Sequence, residues 1–299
     1  MKFGAIDIGT NAARLLVGEV TKEDGHFFVN KVSYTRIPLR LGGDVFENGR
    51  ISKKKVDHFV KTMKAFSLIA EIFEVKDLRA CATSAMREAK NSKVVREKIL
   101  NETGVSIDVI SGDVEAELIF GTFFLLDIDK SVPFMVIDVG GGSTEVSVFE
   151  KGQRVASKSF EIGTLRLLKG KTRLTIWEEM QDWIDQSVDL SEVHTIYGTG
   201  GNINKAHKLL GAGHMQPLTL DKLEARKEEL EPLSLKQRMD RYQLKPDRAD
   251  VLVPALDIYC YLMKKLKYTD IIVPKIGLSD GIVYDLHMKH KKRLKIDVV

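Results

Sequence analysis

The chain is poor in the features that mark several protein classes. It has 2 cysteines in 299 residues, Cys81 and Cys260, far apart and in no CxxC pattern. That excludes a disulfide framework and a zinc ribbon, and it fits a reducing, cytoplasmic compartment. Neither sign of charge dominates: 46 Lys and Arg against 42 Asp and Glu leave +4. This balance tolerates an anionic ligand but lacks the basic excess of a nucleic-acid binder. The one dense basic cluster, Lys289 to Lys295, reads as a solvated tail. Long apolar runs are missing too. The longest, Leu118–Leu126, has nine residues, where a membrane span needs about 20. Asp7 and Arg14 interrupt Met1–Val20, which is therefore not read as a signal peptide. Neither a GxxxxGK[ST] loop nor the dinucleotide fingerprint occurs.

What is present is a duplication. Phe3-Gly4-Ala5-Ile6-Asp7-Ile8-Gly9 returns as Phe134-Met135-Val136-Ile137-Asp138-Val139-Gly140, 131 positions on. Leu15 and Val17 then fall on Val146 and Val148, and Gly25 and Gly152 each sit in a polar turn. Leu78–Ser84 resembles His194–Gly200, both extended runs ending in a small-Thr-small turn. Val105–Gly112 and Ile271–Gly277 both end at glycine before an amphipathic segment. Four matched units in one order mark a repeat.

Each half thus reads as three strands, a helix, a strand, a helix, a strand and a helix. The first strands are expected at Lys2–Asp7, Ala13–Val20 and His26–Arg36. A helix over Lys53–Phe73 follows from the stripe Val56, Phe59, Val60, Met63, Phe66, Ala70 and Phe73. Asn91 is expected to cap a helix through Leu100, and Thr175-x-x-Glu178 to form a capping box for one through Gln186. Pro254 should kink or break the helical segment Arg248–Leu266. Leu218–Tyr242 reads as helices. The domains are expected at 1–127 and 128–299, with the C-terminal helix able to pack back on the first.

The turns carry the chemistry. In Asp7-Ile8-Gly9-Thr10-Asn11 a buried strand ends in an acid, and a glycine turn follows whose amides can grip phosphate oxygens. Asp7 is either a metal or water ligand or a partner for its own turn. Asp138-Val139-Gly140-Gly141-Gly142-Ser143-Thr144-Glu145 repeats the device with more glycine than a hairpin needs. Gly198-Thr199-Gly200-Gly201-Asn202 lies between a strand and a helix, either as an anion site or as a tight β–α turn. His58, His194, His207 and His214 stand in no pattern with Ser or Cys and read as surface or structural residues.

These stretches resemble the actin, sugar-kinase and Hsp70 ATPase superfamily, and within it the exopolyphosphatase/guanosine pentaphosphatase (Ppx/GppA) family. Ala5–Asn11 is similar to that family's first phosphate motif. Ala82–Asn91 is similar to its A-T-x-A-x-R-x-A-x-N stretch, Ile110–Ile119 to I-S-G-x-x-E-A-x-x-I, and Asp138–Glu145 to D-x-G-G-G-S-T-E. The similarity covers residues 1 to about 285.

The resemblance implies an α/β fold of two duplicated actin-like (ribonuclease H-like) domains. Each would have a mixed five-stranded sheet flanked by helices, with a cleft between the domains. It implies a hydrolase that releases terminal phosphate from polyphosphate or guanosine pentaphosphate. Glu115 would be the base acting on water, and Arg87 a fork for phosphate oxygens. Asp138 and Glu145 would be catalytic. Asp7, Asp138 and Glu145 would hold Mg²⁺ or another divalent cation. Gly9, Thr10, Asn11, Gly140, Gly141, Gly142, Ser143, Gly198, Thr199 and Gly200 would bind phosphate. From the residues alone, Glu115 could equally be a helix N-terminal charge, and Arg87 a salt-bridge partner of Glu88. Neither a nucleic acid nor a membrane is expected as partner, and a homodimer is left open. A kinase or ATPase of the same superfamily and a non-catalytic nucleotide sensor are the rival readings. Val114 stands where the family often has an acid, and Ser279 where many members have Arg. Together with the lack of an additional C-terminal helical region, Ser279 leads to an expectation of short rather than very long polyphosphate.

Overall fold

The computed structural model describes residues 1–23, 26–123, 125–189, 192 and 194–296; Gly25 lies outside them. The chain divides into two units, residues 1–128 with 276–299, and residues 129–275.

The first unit contains β1 (Lys2–Ile8), β2 (Ala13–Glu23), β3 (His26–Ile37), α1 (Leu41–Asn48), α2 (Lys53–Ile72), β4 (Leu78–Ala82), α3 (Ser84–Glu88), α4 (Ser92–Thr103), β5 (Ile107–Val109) and α5 (Gly112–Phe123). Its sheet runs β3-β2-β1-β4-β5. β1, β2 and β3 are antiparallel neighbours, and β4 and β5 join in parallel. Phe3 to Ile8 are all buried, as a strand covered on both faces should be. The stripe on α2 is buried from Val56 to Ala70, and Ser52 caps the helix by accepting from the Lys55 N–H.

The second unit contains β6 (Phe134–Val139), β7 (Thr144–Glu150), β8 (Gln153–Phe160), α6 (Thr164–Leu168), α7 (Ile176–Ser187), β9 (Thr195–Thr199), α8 (Gly201–Leu209), β10 (Leu218–Thr219), α9 (Leu220–Leu230), α10 (Leu235–Tyr242), α11 (Pro246–Ala249), α12 (Leu252–Leu266) and β11 (Asp270–Ile271). The last helix, α13 (Leu278–Ile296), packs on β1, β2 and α5 of the first unit. No helix among the described residues is long and apolar enough to cross a membrane.

Several expectations need correction. The second sheet has four strands, β8-β7-β6-β9, rather than five. The would-be fifth shrinks to a parallel bridge between Tyr197 and Ile272, because β11 pairs with β10 and Pro274 follows at once. Thr175 forms no capping box; its hydroxyl donates to Glu179, which Arg173 also holds. The capping box in this unit is Ser234 with Gln237. Asn91 precedes α4, but its side chain bridges the N–H and C=O of Ile51 instead of capping. The segment with Pro254 breaks ahead of the proline, which sits in the first turn of α12, where its missing N–H is harmless. The basic cluster from Lys289 is helical rather than a tail, with Lys289, Lys291, Lys292 and Arg293 exposed as expected.

Candidate functional site

In the first unit, Asp7 ends β1 opposite Arg14 of β2, and the two carry an ion pair. Asp7 is buried, so the guanidinium meets the need of a carboxylate removed from water. The turn between the strands is fixed from outside. Gly9 N–H donates to the Ala12 carbonyl at 3.0 Å, and the carbonyls of Thr10 and Asn11 accept from Gly42 (3.0 Å) and Arg40 (2.8 Å) at the start of α1. Cys81 faces Asp7 in the register of β4. Burial, the main cause, pushes its thiol up to about 12, and that of Cys260 to about 11. Neither sulfur can serve as a nucleophile near neutral pH.

Arg87 and Glu115 meet at one loop. Ile110 N–H pairs with the Ala82 carbonyl, which carries the chain from β5 to the start of α5. Arg87, on α3, donates to the Ile110 carbonyl at 2.7 Å, while Glu88 accepts from Ser84. Ser111 then caps α5, accepting from Val114 N–H. Glu115 follows in the first helical turn, half-buried, its N–H bonded to the Ser111 carbonyl. One loop therefore holds the Arg87 guanidinium and the backbone of Glu115. Ser279, at the start of α13, is buried.

In the second unit, Asp138 and Glu145 face each other across β6 and β7. They are the positional equivalents of Asp7 and Arg14, so an acid–base pair in one half is an acid–acid pair in the other. Glu145 is buried and accepts from Ser159 at 2.7 Å. Two facing carboxylates with hard oxygens fit a divalent cation. Asp7, engaged by Arg14, fits one less well.

The glycine turn between them is anchored through its carbonyls. That of Gly140 accepts from Thr164 N–H (3.1 Å), and that of Gly141 from Leu165 (2.8 Å) and Arg166 (3.2 Å). That of Gly142 accepts from the buried Arg166 side chain at 2.8 Å. A trans peptide points its N–H opposite to its C=O. Three carbonyls turned toward α6 therefore aim the N–H groups of Gly141, Gly142 and Ser143 the other way. Among the described residues those three N–H groups have no acceptor. This is a row of oriented donors of the kind that can cradle an anion. Gly163 makes it possible: a Cβ there would stand 2.6 Å from the backbone of Gly141 and Gly142.

β9 brings the third turn alongside. Thr199 pairs with Asp138 in register. Gly200 has φ +96, and a Cβ on it would meet Asp138 Oδ1 at 2.6 Å. Gly198 and Thr199 are buried, and Gly198 is filled around by Ile271 and Ile203, so Thr199 and Gly200, not Gly198, border the acid. Tyr259 of α12 ties the strands together. Its hydroxyl donates to the Thr199 carbonyl at 2.6 Å and accepts from Val139 N–H at 3.3 Å. Burial first, and the nearby Asp138 and Glu145 charges next, hold this phenol well above its ordinary range, so it stays protonated.

Arg14, Ser159, Arg166 and Tyr259 are thus parts of the site that the sequence reading missed. Only Arg14 left a signal, at the position 131 before Glu145.

The sequence pattern of the Ppx/GppA phosphatase family matches residues 20–290. The chain is similar to the bifunctional 3-dehydroquinate synthase/phosphatase of Fusobacterium nucleatum, 33% identical over 167 residues, covering 54% of this chain and 25% of that protein. It is 31% identical to exopolyphosphatase 1 of Mycobacterium tuberculosis over 193 residues, 62% of this chain and 54% of that one. The match thus spans about half the length of that exopolyphosphatase and a quarter of the bifunctional protein. Among solved structures, the fold matches an exopolyphosphatase from Cytophaga hutchinsonii with a TM-score of 0.80 and 23% identity, over 96% of this chain and 97% of that one. The architecture is therefore the two-domain, actin-like α/β fold.

Proposed function

Because the chain belongs to the Ppx/GppA phosphatase family, we propose that it hydrolyses terminal phosphoanhydride bonds, releasing phosphate from inorganic polyphosphate, guanosine pentaphosphate or both. The observation that carries this reading is the turn Gly140–Ser143. Its carbonyls are anchored to α6, and three of its N–H groups point away from that anchor, next to a pair of facing acids. Amides arranged in advance meet charge on phosphate oxygens without reorganising during reaction.

In this reading Glu115 accepts the proton of the attacking water, and Arg87 offers a planar fork to phosphate oxygens. Asp138 and Glu145 hold a divalent cation of the Mg²⁺ class, which when bound neutralises phosphate charge. Asp7 balances Arg14 and keeps the first turn in place. Thr10 and Asn11 contribute donors from that turn. The buried, free thiols agree with a cytoplasmic enzyme.

The test is phosphate release from polyphosphates of several lengths, guanosine pentaphosphate and ATP, side by side with Mg²⁺. We expect release from at least one of the first two substrate classes to exceed that from ATP. Hydrolysis of ATP alone, or phosphate transfer to an added acceptor, overturns the reading.

A further inference from the structure

The second sheet has a far end, and another cluster of donors lies there. Asp138 pairs with Thr199 at the glycine-turn end, whereas Phe134 pairs with both Phe149 and Thr195 at the other. The two ends are four residues apart along β6, about 13 Å at strand rise. Glu150 follows Phe149, and His194 precedes Thr195. With Glu192 they place one ring nitrogen and two carboxylate oxygens all within 4.8 Å of one another. No other group of three such donors occurs among the described residues.

His194 is 2% exposed, and its ring is held in a telling way. Nδ1 lies 3.2 Å from the Glu192 backbone carbonyl. The Tyr268 hydroxyl accepts from the His194 backbone N–H at 2.7 Å and donates to that same carbonyl at 3.1 Å. Nδ1 also lies 3.4 Å from the Tyr268 hydroxyl; since that hydroxyl donates to the Glu192 carbonyl, the tautomer with Nδ1–H directed at the same carbonyl is the one that leaves the lone pair on Nε2. Nε2 is buried and has no hydrogen-bond partner. A buried imidazole whose one nitrogen is oriented by a carbonyl while the other stands bare has the arrangement of a metal-ligating histidine.

We propose that Glu150, Glu192 and His194 form a binding site for a Zn²⁺-class transition-metal ion, separate from the phosphate-binding turns. One imidazole and two carboxylates suit zinc in its three-ligand form, with water in the fourth position. Imidazole disfavours Mg²⁺ and Ca²⁺, which take oxygen. Tetrahedral zinc wants donors about 3.3–3.6 Å apart. Side-chain rotation of the half-buried Glu150 and the exposed Glu192 closes the difference. The ion would tie the end of the β7–β8 hairpin to the segment entering β9.

The test uses the full chain, stripped with chelator and kept in excess Mg²⁺ to fill carboxylate-only sites. Zn²⁺ is titrated against a chromophoric competitor, and Co²⁺ is added as a spectroscopic probe. We expect one tight equivalent, visible cobalt bands of a low-coordinate site, and a rise in thermal midpoint with Zn²⁺. Glu150→Gln and Glu192→Gln, both at accessible positions, should each weaken binding by at least about tenfold, since even groups outside the coordination shell cost that much. His194→Gln should abolish it. The absence of a bound equivalent overturns the proposal, and so does wild-type affinity in either glutamate variant. The glutamate variants decide the matter even if the buried His194→Gln fails to fold.

Discussion

The two hairpins share a register and differ in sign. Asp7 faces Arg14 in the first, and Asp138 faces Glu145 in the second. In the first half a guanidinium is built into the fold, so the buried acid is balanced before any ligand arrives. In the second, two acids occupy facing strand positions, a pairing that a cation would favour. The flanking helices differ as well. α1 receives the first turn through two carbonyls, while α6 and Arg166 take three successive carbonyls of the second. The duplicated hairpin is thus self-neutralised in one half, while in the other it carries two facing acids, which the proposed function makes a cation site. Glu115 and Arg87, to which the proposed function gives the proton acceptor and the phosphate fork, both belong to the first unit.

The largest expected effect tests that contrast at the base. Glu115→Gln keeps size and hydrogen bonding but cannot take a proton. General-base assistance is worth about 10²–10⁴-fold. We expect kcat for phosphate release to fall by about that much, with KM, Mg²⁺ dependence and thermal midpoint near wild type. Unchanged turnover with a sharply lower midpoint would make Glu115 a structural carboxylate.

The second hairpin should respond differently. Asp138→Asn removes one of two facing charges, so the Mg²⁺ concentration for half-maximal activity should rise by about tenfold, in line with ligand charge setting cation affinity. Activity at limiting Mg²⁺ falls most and recovers partly at high Mg²⁺. A metal titration on wild type and variant checks this, and coincident curves would remove Asp138 from the cation site.

Much of this was legible in the chain, for reasons that can be named. The 131-residue offset exposed β1 and β6 because buried strands keep their apolar residues, and Asp7 and Asp138 because each ends such a strand. The stripe on α2 was readable because one face carries it. What escaped was tertiary. Arg166 anchors the glycine turn from 24 positions away, and Tyr259 reaches Thr199 from 60; no local pattern records either. Asn91 had the chemistry of a cap, yet Ile51 offered its side chain both a donor and an acceptor. The shortened fifth strand escaped because pairing with β10, rather than the apolar pattern of Ile271–Val273, decides where β11 ends.

The helix starts behind the two turns provide a stability contrast. Gly163→Ala would drive a Cβ to 2.6 Å from the backbone of Gly141 and Gly142, which cannot rotate away. Gly42→Ala in the first half meets the side chains of Thr10 and Phe46 instead. Overpacking typically costs about 1–3 kcal/mol. We expect Gly163→Ala near the upper end, with lost phosphate binding, and Gly42→Ala near the lower end. Denaturant midpoints for the pair check the order; equal losses would show that both turns yield alike.

The smallest effect should come from the strut behind the second hairpin. Tyr259→Phe keeps the ring, which fills a fully buried site on α12, and deletes only the hydroxyl. That hydroxyl joins the Val139 N–H to the Thr199 carbonyl, one on β6 and one on β9. Without it both groups lose a partner in a dry interior, which is worth about 1–2 kcal/mol. The ladder between β6 and β9 remains, so the unit should fold. Asp138 and Gly200 lie at the ends of these same two strands, so loosening them should widen the spacing of the acid from its neighbouring turn. We therefore expect a modest drop in thermal midpoint together with a rise in the Mg²⁺ requirement smaller than that of Asp138→Asn. A midpoint shift with an unchanged metal titration would confine Tyr259 to packing. A metal effect as large as that of Asp138→Asn would show instead that the strut, and not the charge, sets the cation site.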